Sequence, residues 1–138
     1  MRHPLATSVA LVVTLAGMPV LAGTQLDEAL ATGGNRLSSE EIADLIVGKR
    51  VTAKAGHKTF DFYYSPSNKL SARLHGGDWS GDGNYAITDG DQVCVSMPKD
   101  EGRYRCLTVV RSDDAVRKYN AEGKMTFEFL NIETATGL

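Results

Sequence analysis

Residues 78–89 carry oxygen-bearing side chains at the spacing of a calcium-binding loop. Asp78, Ser80 and Asp82 match loop positions 1, 3 and 5, Gly83 matches the glycine of position 6, and Asp89 matches position 12. Position 12 is normally a glutamate that supplies both of its oxygens, and Asp-Gly pairs also form ordinary turns. We therefore keep a calcium-dependent module as an alternative, and expect no other cofactor.

The only two cysteines of the chain, Cys94 and Cys106, lie in two strand-like runs separated by the turn-like residues 97–102. A hairpin would bring the two sulfurs together across the strand pair. We therefore predict a structural disulfide, and a bond that closes a loop of this size is worth about 3 kcal/mol. A redox-active or metal-binding pair is the alternative, but a redox pair usually has C-x-x-C spacing.

The sequence offers little for catalysis. After residue 22 it contains two histidines, His57 and His75, which do not form an H-x-x-x-H motif. A G-x-S-x-G elbow, a phosphate-binding loop and a dinucleotide-binding fingerprint are all missing from the sequence. We assign no catalytic residue and favour a protein that is not an enzyme.

Aromatic side chains concentrate in the strand-like segments. Four of them alternate along their strands as inward-facing residues do, namely Phe60, Phe62, Phe127 and Phe129. Trp79, in a glycine-rich segment, would either line a pocket mouth or protein contact, or fold back over the end of the core. Together with Tyr63, His75 and Tyr85 it forms our candidate binding surface.

An amphipathic helix is predicted to begin the folded part of the chain, over residues 37–48. Ser38 and Glu41 have the spacing of a capping box, and Leu37 and Ile42 that of a hydrophobic staple. Gly48 is typical of a helix end. The helix presents one apolar stripe, so it is expected to cover a surface or one end of a sheet.

Between residues 50 and 132 the hydrophobic period changes to that of short strands with turn signals every 8–12 residues. We predict a mainly β (α+β) fold, in which the N-terminal helix is followed by an antiparallel meander of about seven short strands. The meander would form a small barrel or a sandwich. Residues 23–36 are expected to be flexible, residues 37–132 to form one domain, and residues 133–138 a tail.

The first 22 residues have the pattern of a secretory signal peptide. Arg2 precedes an apolar run, and Val20 and Ala22 are compact residues at the −3 and −1 positions of a cleavage site. Polar residues, prolines and a glycine dilute the run, which argues against a membrane anchor. We therefore expect a periplasmic or secreted protein without a membrane span after processing.

Overall composition excludes some classes of partner. The 138 residues include 15 basic and 17 acidic side chains, for a net charge of −2, and loss of Arg2 with the leader would make this −3. Such a balance offers no electrostatic basis for nucleic-acid binding. We expect an envelope protein or a small apolar molecule as the partner.

The chain resembles a family of small exported proteins of Gram-negative bacteria whose function is unknown. The similarity spans most of residues 37–124 and is carried by the capped segment 37–49, the aromatic run 60–64, the stretch 83–94, Arg105-Cys106 and Gly123-Lys124. The family commonly has tryptophan at the position of Tyr85. The resemblance implies an envelope β-domain with one disulfide, and it supplies no catalytic residues.

These observations favour a non-enzymatic β-domain that binds a protein or an envelope component in an accessory or inhibitory role. A carrier of a small apolar ligand is the first alternative, because a closed barrel can enclose a ligand. This alternative predicts a residual cavity lined by Phe60, Phe62, Phe127 and Phe129. A calcium-dependent module is the second alternative.

Overall fold

The computed structural model describes residues 23–138, together with Val12 and Gly17. The predicted signal peptide therefore lies, apart from those two positions, outside the described residues. In the part of the chain that is described, no helix has the length and apolar character needed to cross a membrane.

Along residues 23–138 the chain forms two α-helices, one short 3-10 helix and nine strands. In chain order these are α1 (Gln25–Ala31), β1 (Asn35–Arg36), α2 (Ser39–Ile46), β2 (Lys49–Ala55), β3 (Lys58–Tyr64), β4 (Lys69–Leu74), β5 (Ser80–Thr88), β6 (Gln92–Ser96), the 3-10 helix (Pro98–Asp100), β7 (Arg105–Ser112), β8 (Ala115–Tyr119) and β9 (Met125–Thr134).

Strands β2 to β9 form a closed antiparallel barrel of eight strands. Each strand pairs with the next one along the chain, and β9 pairs with β2 to close the circle. Strand β1 pairs with Val110 and Arg111 of β7, just beyond residues 105–108, which pair with β6. The predicted mainly β, antiparallel fold is confirmed, and of the two architectures left open the barrel is the one observed.

Helix α2 closes the end of the barrel at which β2, β4, β6 and β8 begin, which we call the capped end. The side chain of Ser38 accepts a hydrogen bond from the Glu41 amide, and the Glu41 side chain accepts one from the Ser38 amide, as predicted. Ile42 and Ile46 of the helix are buried, and so is Leu37 just before it. The opposite end of the barrel is called the open end.

We expect Ser38→Ala to lower the free energy of unfolding by about 1 kcal/mol, because the Glu41 amide loses its acceptor at the helix N-terminus. Thermal unfolding measures the loss. The control is Ser67→Ala, which removes an exposed hydroxyl from the turn between β3 and β4. A loss no larger than that of the control would show that the cap does not stabilise the helix.

Residues 23–36, for which we predicted a flexible segment, contain α1 and β1. Thr24 and Asp27 make a second capping box. The Leu26 amide donates to the Gly123 carbonyl at 2.9 Å, and the Met125 amide donates to Oε1 of Gln25 at 2.8 Å. Sequence periodicity did not reveal these contacts because they join residues about 100 positions apart. At the other terminus, β9 continues to Thr134, two residues into the predicted tail.

Candidate functional site

The interior of the barrel is filled at the capped end and partly empty toward the open end. Near α2 the core consists of closely packed side chains, including Val51, Val93, Val109 and Val116. Toward the open end two cavities of about 580 and 360 Å³ remain. Three of the four phenylalanines predicted to line the cavity of a carrier, Phe60, Phe62 and Phe127, line one or both of these cavities.

Two glycines in β5 let large neighbours pack closely against this wall of the barrel. Gly81 and Gly83 share the face of β5 that carries the core residue Tyr85, so two successive inward positions have no side chain. The side chains of Met97 and Trp79 lie beside Gly81, where a Cβ atom would be 3.1 and 3.3 Å from them. A Cβ atom at Gly83 would collide with the Ser96 carbonyl oxygen and the sulfur of Met97, so neighbouring atoms occupy the space beside this glycine as well.

The smaller cavity, which we call the mouth cavity, opens at the open end of the barrel. Trp79 stands at its edge with 47% of its surface exposed, and its ring meets that of Phe60 edge-on at 5.8 Å. Phe60, Phe62 and Phe127 belong to the predicted lining, whereas Phe129 does not contribute to either cavity. The full lining comprises Lys58, Phe60, Phe62, Leu74, Trp79, Met97, Lys99, Arg105 and Phe127.

The larger cavity, which we call the side cavity, opens through a gap in the barrel wall. Tyr119 is paired with Thr108, and β8 ends there, whereas β7 begins three residues earlier at Arg105. Residues 105–107 therefore have β6 on one side and the turn 120–124 on the other. The gap, or side window, is bordered by Tyr104, Arg105, Cys106 and Leu107 on one edge and by Asn120, Ala121 and Glu122 on the other.

Lys118 lines the side cavity and is only 3% exposed. Its Nζ donates a hydrogen bond to Oη of Tyr64. Four aromatic rings surround the amine at centroid distances of 5.0 to 5.9 Å, namely Phe62, Tyr64, Phe127 and Phe129. Burial lowers the pKa of Lys118 from 10.5 to about 7 and raises the pKa of Tyr64, because the charged form of each group loses its hydration.

Within the described residues no carboxylate forms an ion pair with Lys118. Arg105, the other cation of the side cavity, pairs with Asp100 at 3.2 Å. Glu122, the acidic residue of the window, is exposed at the turn. The side cavity therefore contains a buried amine. Among the described residues, its positive charge is stabilised only by nearby aromatic rings and one hydroxyl group.

Sequence reasoning missed Lys118, although a signal was present. Val116 and Lys118 are two residues apart in β8 and thus share a face, while Arg117 points the other way. Val116 belongs to the core. A lysine on the same face as a core valine could have been identified as an inward-pointing amine once β8 was recognised.

Residues 78–89 do not have the conformation of a calcium-binding loop in the structure. Ser80 and Asp82 lie within β5, which runs as one extended strand of nine residues. At about 3.4 Å per residue this places Asp78 and Asp89 roughly 30 Å apart, at opposite ends of the barrel. Across residues 23–138 no group of three or more histidine, cysteine, aspartate or glutamate side chains could hold a metal ion.

The four residues of the candidate binding surface do not lie together. Trp79 lies at the mouth of the barrel, which is one of the two locations predicted for it. Tyr85 is 3% exposed, inside the barrel, and its hydroxyl donates to the Ser65 carbonyl at 2.6 Å, so it is not a surface residue. Tyr63 and His75 are outside the barrel. The residue type alone does not show whether an aromatic side chain faces the interior of the barrel. In a strand this depends on the alternation of side chains between the two faces.

His75 belongs to a polar cluster on the outer face of β3. Nε2 of His75 lies 2.7 Å from Oδ2 of Asp61, which also accepts hydrogen bonds from Arg73 and, through its other oxygen, from Thr52. Burial alone would raise the pKa of Asp61, but these three hydrogen bonds outweigh it and hold the pKa below its usual value. With every acceptor satisfied, the cluster ties β2, β3 and β4 together.

The predicted disulfide is confirmed. Cys94 of β6 and Cys106 of β7 are directly paired in the register of the two strands, with Cα atoms 3.9 Å apart and a bond between their sulfurs. Cys106 is also part of the border of the side window. The bond therefore anchors one edge of this opening to β6.

Comparisons of the chain with protein-family models, with curated proteins and with solved structures find no match.

Proposed function

We propose that the protein is a non-enzymatic binding protein that holds a small, largely apolar ligand in the open half of its barrel. The observation that carries this proposal is the pair of adjacent cavities of about 580 and 360 Å³ lined mainly by Phe60, Phe62, Phe127 and other apolar side chains. Ligand sites of small molecules are typically concave, mostly apolar and about 300–1,000 Å³ in volume.

Export to the envelope remains part of the proposal. The pattern of residues 1–22 supports it, and the Cys94–Cys106 bond is compatible with an oxidising compartment. Membership of the family of exported proteins named above is proposed on the same footing. In this setting the protein would carry or sequester an apolar molecule outside the cytoplasm.

Docking of a partner protein over the openings is the second candidate function. Trp79 and Tyr104 favour it, because each is about half exposed and they border the mouth and the side window. Exposed aromatic residues are common anchors of protein interfaces. This candidate predicts that isolated protein does not bind small apolar probes.

The test uses N-phenyl-1-naphthylamine, an uncharged apolar fluorophore. Trp79 is the only tryptophan of the chain, and it borders the mouth cavity. We therefore expect saturable probe fluorescence together with energy transfer from Trp79 to the bound probe.

Two matched variants locate the binding. Leu74→Glu introduces a carboxylate into the lining of the mouth cavity and is expected to weaken probe binding at least tenfold, because the new charge would have to lose water when the probe enters. Leu130→Glu makes the same change at an exposed position of β9 and should leave binding unchanged. Absence of saturable binding to the unmodified protein, or equal binding by both variants, would overturn the carrier proposal.

A further inference from the structure

The amine of Lys118 lies beside an apolar cavity with no counter-ion among residues 23–138. A lysine ammonium has three N–H donors, and Tyr64 accepts one hydrogen bond from it. The surrounding rings attract the cation but do not neutralise it. An anion in the side cavity would supply the missing charge.

The Tyr64 hydroxyl provides a second donor at the same place. Its oxygen accepts the hydrogen bond from Lys118, which leaves its own proton free to be donated. In the described structure this proton has no acceptor, since the only side-chain hydrogen bond of the hydroxyl is the one to Lys118. Two neighbouring donors, Nζ and Oη, match the two oxygens of one carboxylate.

A single ammonium favours a group with one negative charge over a dianion such as a phosphate monoester. The second charge of a dianion would be buried without a partner, which is costly in an apolar cavity. Arg105, the next cation along the cavity wall, is already paired with Asp100.

The rest of the ligand would occupy apolar space. Phe62, Met97, Arg105 and Phe127 line both the side cavity and the mouth cavity, so the two spaces adjoin across these four side chains. Met97 is flexible and can change rotamer to join them. A chain attached to a group at Lys118 can then extend toward Trp79 at the mouth.

Building on the proposed function, we propose that the ligand is an amphiphile with a carboxylate head, bound by Nζ of Lys118 and Oη of Tyr64 in the side cavity. Its apolar chain runs past Met97 into the mouth cavity. Lys118 then determines which apolar molecules the barrel accepts.

The experiment compares three probes that share a chain and differ in head group: decanoate, decan-1-ol and decyltrimethylammonium. Each is measured at pH 6.5 by its displacement of N-phenyl-1-naphthylamine. We expect decanoate to bind at least tenfold more tightly than decan-1-ol, and decyltrimethylammonium to bind most weakly.

The assignment to Lys118 is tested with Lys118→Met and its matched control. Lys118→Met keeps an apolar chain of similar length and should abolish the preference for decanoate while leaving decan-1-ol binding within about threefold. Lys124→Met removes the same charge from the exposed turn after β8 and should leave the preference intact. Tyr64→Phe should reduce it in part, through loss of one donor.

The outcomes separate this inference from the proposed function. Equal affinity for decanoate and decan-1-ol would overturn the carboxylate head while the apolar binding site stands. A decanoate preference that survives in Lys118→Met would place the selectivity on the cations of the mouth and overturn the role of Lys118. Failure of every probe, including the fluorophore, would overturn the proposed function itself.

Discussion

Replacement of Lys118 by methionine is expected to raise the free energy of unfolding by about 3 kcal/mol at pH 6. Burial lowers the pKa of Lys118 from 10.5 to about 7, and each pKa unit corresponds to about 1.4 kcal/mol, so the charged amine costs the folded state about 5 kcal/mol. Methionine leaves the buried Tyr64 hydroxyl without its hydrogen-bond partner, which offsets about 2 kcal/mol of this gain. Methionine fills the same space without the charge.

The gain should shrink as the pH rises. The folded pKa of Lys118 lies below the unfolded one, so between about pH 7 and 10.5 the unfolded chain binds more protons than the folded protein. The stability of the unmodified protein therefore increases over this range, by up to about 1.4 kcal/mol per pH unit. Lys118→Met lacks this increase, because it has no amine to deprotonate.

Urea unfolding of both proteins at pH 6, 7.5 and 9 measures the effect. The upper limit avoids Tyr64, whose raised pKa makes stability fall once tyrosines ionise in the unfolded chain, above about pH 10. Lys124→Met is the control and should match the unmodified protein at each pH. A variant that is less stable at pH 6, or a difference that does not change with pH, would contradict a buried, desolvated amine.

A buried lysine that weakens the fold while lining a cavity is consistent with the proposed binding role. An apolar residue on this face of β8 would make a more stable barrel, as the packing of Val116 on the same face illustrates. Functional sites commonly retain such destabilising groups. The stability gain of Lys118→Met and its expected loss of carboxylate binding are thus two consequences of one buried charge.

Features set by neighbouring residues were predictable from the sequence. The capping box of Ser38 and Glu41 involves residues three positions apart, and α2 has the cap that this spacing predicts. Cys94 and Cys106 lie in consecutive strands of a hairpin, so their pairing followed from the turn between them. In both cases the contact is local along the chain.

Features that depend on closure of the barrel were not predictable in the same way. The side window exists because β8 stops opposite Thr108 while β7 extends further, and no local pattern encodes the difference. Asp78, Ser80 and Asp82 had calcium-loop spacing, yet the pairing of residues 80–88 with two neighbouring strands keeps the segment extended. Long-range strand pairing decided both outcomes.

Removal of the disulfide by the double change Cys94→Ala and Cys106→Ala is expected to lower the free energy of unfolding by about 3 kcal/mol. The bond closes a short loop, with a sequence separation of 12 residues, and chiefly restricts the unfolded chain. Alanine is chosen because Cys94 is buried, and a serine hydroxyl there would need a hydrogen-bond partner. For a domain of this size the loss corresponds to a fall in Tm of about 10–15 °C.

Thermal unfolding with and without a thiol reductant provides the measurement. Reduction should lower the Tm of the unmodified protein toward that of the double variant, and should leave the Tm of the variant unchanged. An equal response of both proteins to the reductant would show that the effect does not come from this bond. A variant as stable as the unmodified protein would show that the pairing of β6 and β7 is sufficient without it.

The disulfide should also influence ligand binding, because Cys106 borders the side window. Residues 105–107 have a strand partner on one side only, which is β6. The disulfide from Cys106 to Cys94 attaches this segment to β6 covalently. Without it, the edge of the window should fluctuate more, and bound N-phenyl-1-naphthylamine should dissociate faster. Stopped-flow dissociation at a temperature where both proteins are folded tests this, and equal rates would show that β6 holds the window edge unaided.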